Sequence, residues 1–187
     1  MAADQPLSSG VGEDPTAVLL RRVIAWAIDV IVFGAFAAAL VFAMGRRHRG
    51  VSCKAVTHER AFTQCLAVGR DAFVVSGARF WLAMVLIAGW FVVVYGIAQG
   101  ATGATPGKAL AGVRVIGPDG AVVGTTRCLV RSLLWIADGF PFVLGPVVGG
   151  VAMVSTPGHR RLGDRSADSY VVARSAVGMP VRLPDSD

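Results

Sequence analysis

Between Arg22 and Met44 the chain reads RVIAWAIDVIVFGAFAAALVFAM. Such a run of about 20 apolar residues is long enough to cross a bilayer core of about 30 Å. Two of its residues are not apolar. Arg22 stands at the head, and Asp29 follows seven residues later. Seven residues make two helical turns, so both side chains fall on one face, about 10 Å apart along the axis. Ala25 lies between them on that face. An arginine at the interface reaches headgroups and water along its own stem. An aspartate two turns inside does not, and insertion scales charge it about 2.5–3.5 kcal/mol near a helix centre. Asp29 is therefore expected to face protein or a wet cavity, either neutral or paired with a cation.

The distribution of the other residues agrees. Of 187 residues, 54% are hydrophobic and 16% charged, mean hydropathy is +0.61, and the charges gather between long apolar runs. This is the pattern of one compact integral membrane domain over residues 18–173, with polar tails at 1–17 and 174–187 expected to be disordered. The formal charge of +6 is explained by arginines flanking membrane segments. No zinc-finger spacing or aromatic-basic stripe points to nucleic acid. The first apolar run is longer than a signal-peptide core and is followed by Arg46, Arg47 and Arg49 rather than a cleavage site, so it reads as a span.

Phe80–Ala98 forms a second, uncharged span with Trp81 and Tyr95 near its ends. The intervening stretch, 45–79, is rich in arginine and carries the short apolar pieces AFTQCLAVG and AFVVSGA, expected to pack on the membrane face. Downstream, Val113–Ile116 and Ala121–Val123 flank Gly117-Pro118-Asp119-Gly120, a hairpin signal. The third apolar segment, 129–155, has Asp138-Gly139, Pro141 and Gly145-Pro146 near its middle, which argues against a straight helix. A broken backbone at membrane depth needs protein or water around it. Folding this segment as a re-entrant hairpin puts eleven Lys and Arg on the side of both termini and seven on the other, in line with the positive-inside rule. It also allows Tyr170–Ala173 to pair with Val113–Ile116 in a small sheet at the cytoplasmic surface. The expected class is thus an all-α membrane protein with two full spans, a broken or re-entrant third apolar segment and a small cytoplasmic-side sheet. Arg46, Arg47 and Arg49, on the outer side, run against the rule.

Few motifs suggest chemistry. Thr105-Pro106-Gly107-Lys108 lacks the spacing and the Ser/Thr of a phosphate loop and reads as a cap and turn, with Lys108 at headgroup level. Arg160, Arg161 and Arg165 surround Asp164, which makes either a basic patch on anionic lipid or a fixed partner for Arg22. Asp138 is a second acid at membrane depth, either a half-helix cap or part of an ion site. Cys53, His58 and Cys65 share one loop but match no common zinc spacing, which leaves a disulfide or two free thiols and no metal site. Nothing calls for a cofactor, and no nucleophile–base pair suggests an enzyme.

Taken together, Arg22-x-x-Ala25-x-x-x-Asp29, Thr105-Pro106-Gly107-Lys108, Gly112-Val113-Arg114-Val115, Arg131 and Gly163-Asp164 before Val171-Val172 resemble the RDD family of small membrane proteins. The resemblance covers about residues 18–173 and implies that the family's one arginine and two aspartates are Arg22, Asp29 and Asp164 here. One departure is Asp168-Ser169, where a Gly-Thr is expected. The resemblance implies transport of an unidentified ligand at most. Two roles follow as expectations. In the first, Arg22, Asp29, Asp164 and Asp138 form a polar ion path in which Arg22 keeps Asp29 ionised, in a homo-oligomer or with a membrane partner. In the second, the same residues only staple a scaffold that binds anionic lipid or a protein.

Overall fold

The structure, a computed structural model, describes residues 16, 18–57, 62–134, 151 and 155–181. Asp138 and His58, the core of the third apolar segment and most of the N-terminal tail lie outside the described residues.

Helix α1 runs from Leu19 to Met44, and its burial is inverted relative to a soluble helix. Its buried residues are Arg22, Ala25 and Asp29, while Leu20, Ile24, Trp26, Ile31 and Phe42 are exposed. The apolar surface thus points away from the protein and the polar residues point in. The second helical rod starts as α3, Ala78–Phe91, passes through a π-helical stretch at Val92–Ala98 and ends as α4, Gln99–Thr102. Gly103, at φ 72°, stops it. The rods are antiparallel: Phe80 and Ala83 pack with Val41 and Met44 at one end, and the chain after Gly103 returns to Ala25 at the other. Among the described residues, these two helical segments, Leu19–Met44 and Ala78–Leu110, are long and apolar enough to cross a membrane.

The end holding Arg22 is built from short elements. Helix α5 (Pro106–Leu110) leads into strand β4 (Val113–Ile116), and later come helix α6 (Thr125–Leu133), helix α7 (Leu162–Ser166) and strand β5 (Tyr170–Ala173). β4 and β5 pair antiparallel, Val113 opposite Ala173 and Ile116 opposite Tyr170, as the sequence suggests. Val113, Val115 and Val171 then close a small core with Val18 and Ala25. The expected local hairpin shrinks to a single bridge, Ile116 to Val122, on the β4 edge away from β5, where the Val115 N–H donates instead to Gly103 O (2.7 Å). The C-terminal stretch is also more ordered than its composition suggests. Gly178 N–H donates to Gly120 O (3.0 Å) and Val181 N–H to Pro118 O (3.0 Å), which holds residues 178–181 against the turn after β4.

The opposite end corrects the all-α expectation. Between the rods lie strand β1 (Arg46–His48), the short helix α2 (Cys53–Thr57) and strands β2 (Gln64–Val68) and β3 (Asp71–Val75). The strands form a second antiparallel sheet in the order β1-β3-β2. The two apolar pieces read as membrane-face packing are its hairpin, joined by Gly69 (φ 61°) and Arg70. Five-residue runs in arginine-rich sequence carry little periodicity, which is why they escaped. Cys53 and Cys65 are joined as a disulfide that ties α2 to β2, and Cys128 is free and buried. Closing a loop of this size is worth about 3 kcal/mol. A maleimide-reactivity assay on purified protein is expected to label Cys128 alone after denaturation and all three cysteines only after reduction.

Candidate functional site: two carboxylate centres at one end of the helices

α1 places Arg22 and Asp29 on one face, but the two do not meet. Each is taken by a different part of the chain.

Arg22 belongs to the Asp164 centre. Its Nη2 donates to Asp164 Oδ2 at 2.5 Å and its Nη1 to the backbone oxygen of His159 at 2.5 Å. Arg131 Nε stands 2.6 Å from Asp164 Oδ1, and Arg161 Nε 3.5 Å from the same atom. Asp164 also accepts the Arg161 backbone N–H at 3.3 Å, closing the first turn of α7. The Asp164 side chain has 0% exposure and Arg131 1%. One carboxylate therefore joins α1, α6 and α7. Gly163 makes this possible, since a Cβ there would lie 2.6 Å from Arg131 O. Burial pushes the Asp164 pKa up, but Arg131, Arg161 and Arg22 outweigh it and hold the carboxyl well below the usual carboxylate range.

Asp29 belongs to the turn that the sequence singled out. Thr105 caps α5 by accepting Lys108 N–H, and Pro106 follows at the first helical position. The Thr105 hydroxyl donates to Asp29 Oδ2 at 2.5 Å, and Gly107 N–H donates to Oδ1 at 2.7 Å. Lys108 does not reach for headgroups. Its Nζ lies 3.3 Å from Thr105 Oγ1 and 3.9 Å from Asp29 Oδ2. Gly107 is required by contact: a Cβ would overlap the Ala25 carbonyl and sit 2.9 Å from the Asp29 carboxylate. Asp29 is 7% exposed. Its expected guard, Arg22, is thus replaced by two hydrogen-bond donors and a lysine. Lys108 is also within electrostatic reach of Arg131 and Asp164, so the two centres are neighbours.

Of the remaining basic residues, Arg160 packs over the Tyr170 ring (4.4 Å to its centre) and pairs with Asp168 at 3.0 Å. Asp168, the departure from the expected Gly-Thr, so has a partner. Arg165 is left exposed. Arg131, Thr105 and Gly107 take part in the two centres, although the sequence reading placed them only in the family pattern and not in a site. Arg131 had a signal: in TTRCLVRSL it shares the buried stripe of α6 with Cys128 and Ser132, at helical spacing.

The sequence profile of the RDD family matches residues 16–168. The chain belongs to the RDD family. The match spans both carboxylate centres, and family membership together with the inverted burial of α1 fits a membrane protein. No curated protein and no solved structure matches the chain.

Removing a charge from the Asp164 centre leaves arginines buried without a partner, at a cost of about 3–5 kcal/mol. Asp164→Asn should lower the unfolding midpoint in detergent accordingly. The depressed pKa gives the pH dependence. The stabilisation is fully present above the ordinary aspartate value of about 3.9 and is lost as pH falls below it toward the folded-state value. The gap between wild type and Asp164→Asn, read by thermal unfolding, should therefore be constant from neutral pH to about 4 and narrow only below that.

Proposed function

We propose that this RDD protein is a multi-pass integral membrane protein that moves a proton or small cation through the Asp29 centre. The single observation that carries the reading is Asp29 itself, an acid two turns inside an apolar helix, with its oxygens held by Thr105 and Gly107 and the Lys108 ammonium 3.9 Å away. Intramembrane acids of this kind mark ion and proton pathways. In this reading Lys108 is the resting counter-charge. A proton or cation arriving at Asp29 takes over its role and frees the ammonium to swing toward the interface. Arg22 and Asp164 act as the fixed wall of the site. Asp138 stays a candidate for the continuation of the path.

The termini are assigned to the cytoplasmic side of the cell membrane. Support comes from the shared end of Arg22, the Thr105–Lys108 turn, α6 and α7. α6 and α7 meet at that end, which is what a re-entrant segment between them requires. Two spans are few for a permeation path, so the active form is proposed to be a homo-oligomer or a complex with a membrane partner. Gly34 and Gly89 offer open small-residue surfaces for helix contact. No enzymatic step is assigned.

A second reading is favoured by the Asp164 centre. A buried ion cluster joining three helices specifies packing, as a scaffold needs. The two readings part at Asp29. In proteoliposomes under a proton or sodium gradient, Asp29→Asn should abolish flux while the protein still folds. Unchanged flux contradicts transport, and loss of folded protein without any wild-type flux supports the scaffold. Single cysteines at positions 10, 60, 110 and 180 test sidedness: 10, 110 and 180 should react from the cytoplasm and 60 from outside.

A further inference from the structure

The end of the helices farthest from Arg22 holds a cavity of about 280 Å³, lined by Arg46, Val74, Ser76, Ala78 and Arg79. We infer that this cavity is a binding site for the phosphate-bearing headgroup of an anionic lipid, gripped by the guanidinium groups of Arg46 and Arg79.

Four observations carry it. First, the two arginines have donors to spare. Arg79 uses Nη1 on the last carbonyl of α1, Met44 O, at 3.1 Å, which leaves the rest of a five-donor fork open. The Arg46 side chain makes no hydrogen bond or ion pair among the described residues, while its neighbour Arg47 takes Asp71 at 2.5 Å and so removes the nearby acid from competition. Second, Arg79 stands in the first turn of α3, where the helix dipole disfavours a cation. That turn has no acidic residue and no side-chain cap. An anion seated there offsets both. Third, the depth is right. Trp81, 58% exposed, follows within the same turn, and its ring lies tilted beside Phe62 (5.5 Å between ring centres), as in an interfacial aromatic belt. Fourth, the segment 45–79 holds seven Lys and Arg against two acids, on the side where the positive-inside rule expects few. A cation-rich rim that runs against insertion preference is accounted for by a ligand that needs it. The cavity is also slightly below the usual ligand-pocket range of about 300–1,000 Å³, which suits a headgroup whose chains remain in the bilayer.

This inference rests on α1 and α3 crossing a bilayer with the termini cytoplasmic, but not on transport or on the Asp29 centre. The test uses full-length protein in detergent with three probes: dihexanoyl phosphatidylglycerol, dihexanoyl phosphatidylcholine and inorganic phosphate. Binding is read by thermophoresis and by native mass spectrometry. Wild type should prefer phosphatidylglycerol to phosphatidylcholine and bind inorganic phosphate much more weakly. Arg46→Gln should weaken phosphatidylglycerol by about tenfold, as loss of one charge-assisted contact implies. Arg46→Lys should restore part of that, and Arg127→Gln, at an exposed residue of α6 near the other end, should change nothing. Arg79→Gln is a second variant, read only if its unfolding midpoint matches wild type, because Arg79 also caps α1. Equal binding of the two lipids, insensitivity to Arg46→Gln, or phosphate binding as tight as the lipid overturns the assignment. A protein that needs detergent for extraction yet fails these tests refutes the lipid site while leaving the membrane reading intact.

Discussion

A carboxylate with no solvent-accessible side chain must be neutralised from within the fold, and at Asp164 three arginines do this. Arg22 comes from the first helix, Arg131 from α6 and Arg161 from the residue that starts α7. These stretches are far apart in sequence, so the ion cluster works as a closure. It draws the C-terminal part of the chain under the head of α1 and sets β5 beside β4. In a membrane protein the apolar faces of α1 and α3 gain little from meeting each other, since lipid is as apolar as they are. Directional polar contacts must therefore supply much of the specificity. A buried ion pair of this kind is weak evidence for net stability and better evidence for a fixed arrangement.

Separating Arg22 from Asp29 changes how the site works. Had the two been paired, Asp29 would have been locked by a rigid, permanently charged group. Instead it is held by a hydroxyl, a backbone amide and a flexible lysine. A hydroxyl rotor and a four-carbon lysine stem have rotatable bonds to spare, whereas each guanidinium next door is tied to Asp164 and Arg22 also to the His159 carbonyl. Rigid and adjustable centres side by side suit a site that handles a cation. The π-helical stretch Val92–Ala98 lies on the rod that delivers the Thr105–Lys108 turn, and such bulges recur at functional sites.

Much of this was legible in the residues. The length of the Arg22–Met44 run, the inward face of Arg22, Ala25 and Asp29, the β4–β5 pairing and the cap at Thr105 all follow from local spacing and capping chemistry. The pairing of charges followed only in part: Asp164 as the partner of Arg22 was one of two readings left open, whereas Thr105, Gly107 and Lys108 as the partners of Asp29 were not foreseen. Arg22 and Asp29 are separated by two turns, about 10 Å along the axis, which the sequence displays as proximity on one face although it leaves them too far apart to touch. Partners 137 and 142 residues away for Arg22, and 76 and 78 residues away for Asp29, decide the matter, and no local spacing encodes them. Gly107 shows the same limit. Its sequence role is a turn residue, whereas its structural role is to let a backbone press against Ala25. The second sheet was hidden because its short strands are dominated by a disulfide and a two-residue turn rather than by clear alternation.

Arg22 serves Asp164 and not Asp29. Double-mutant cycles in detergent-solubilised protein measure this directly, with Arg22→Gln combined in turn with Asp164→Asn and with Asp29→Asn. Contacting residues couple by up to about 3 kcal/mol, and groups without shared contacts add within about 0.5 kcal/mol. The account predicts strong coupling for Arg22 with Asp164 and near-additivity for Arg22 with Asp29. Strong coupling to Asp29, with Asp164 additive, would contradict it.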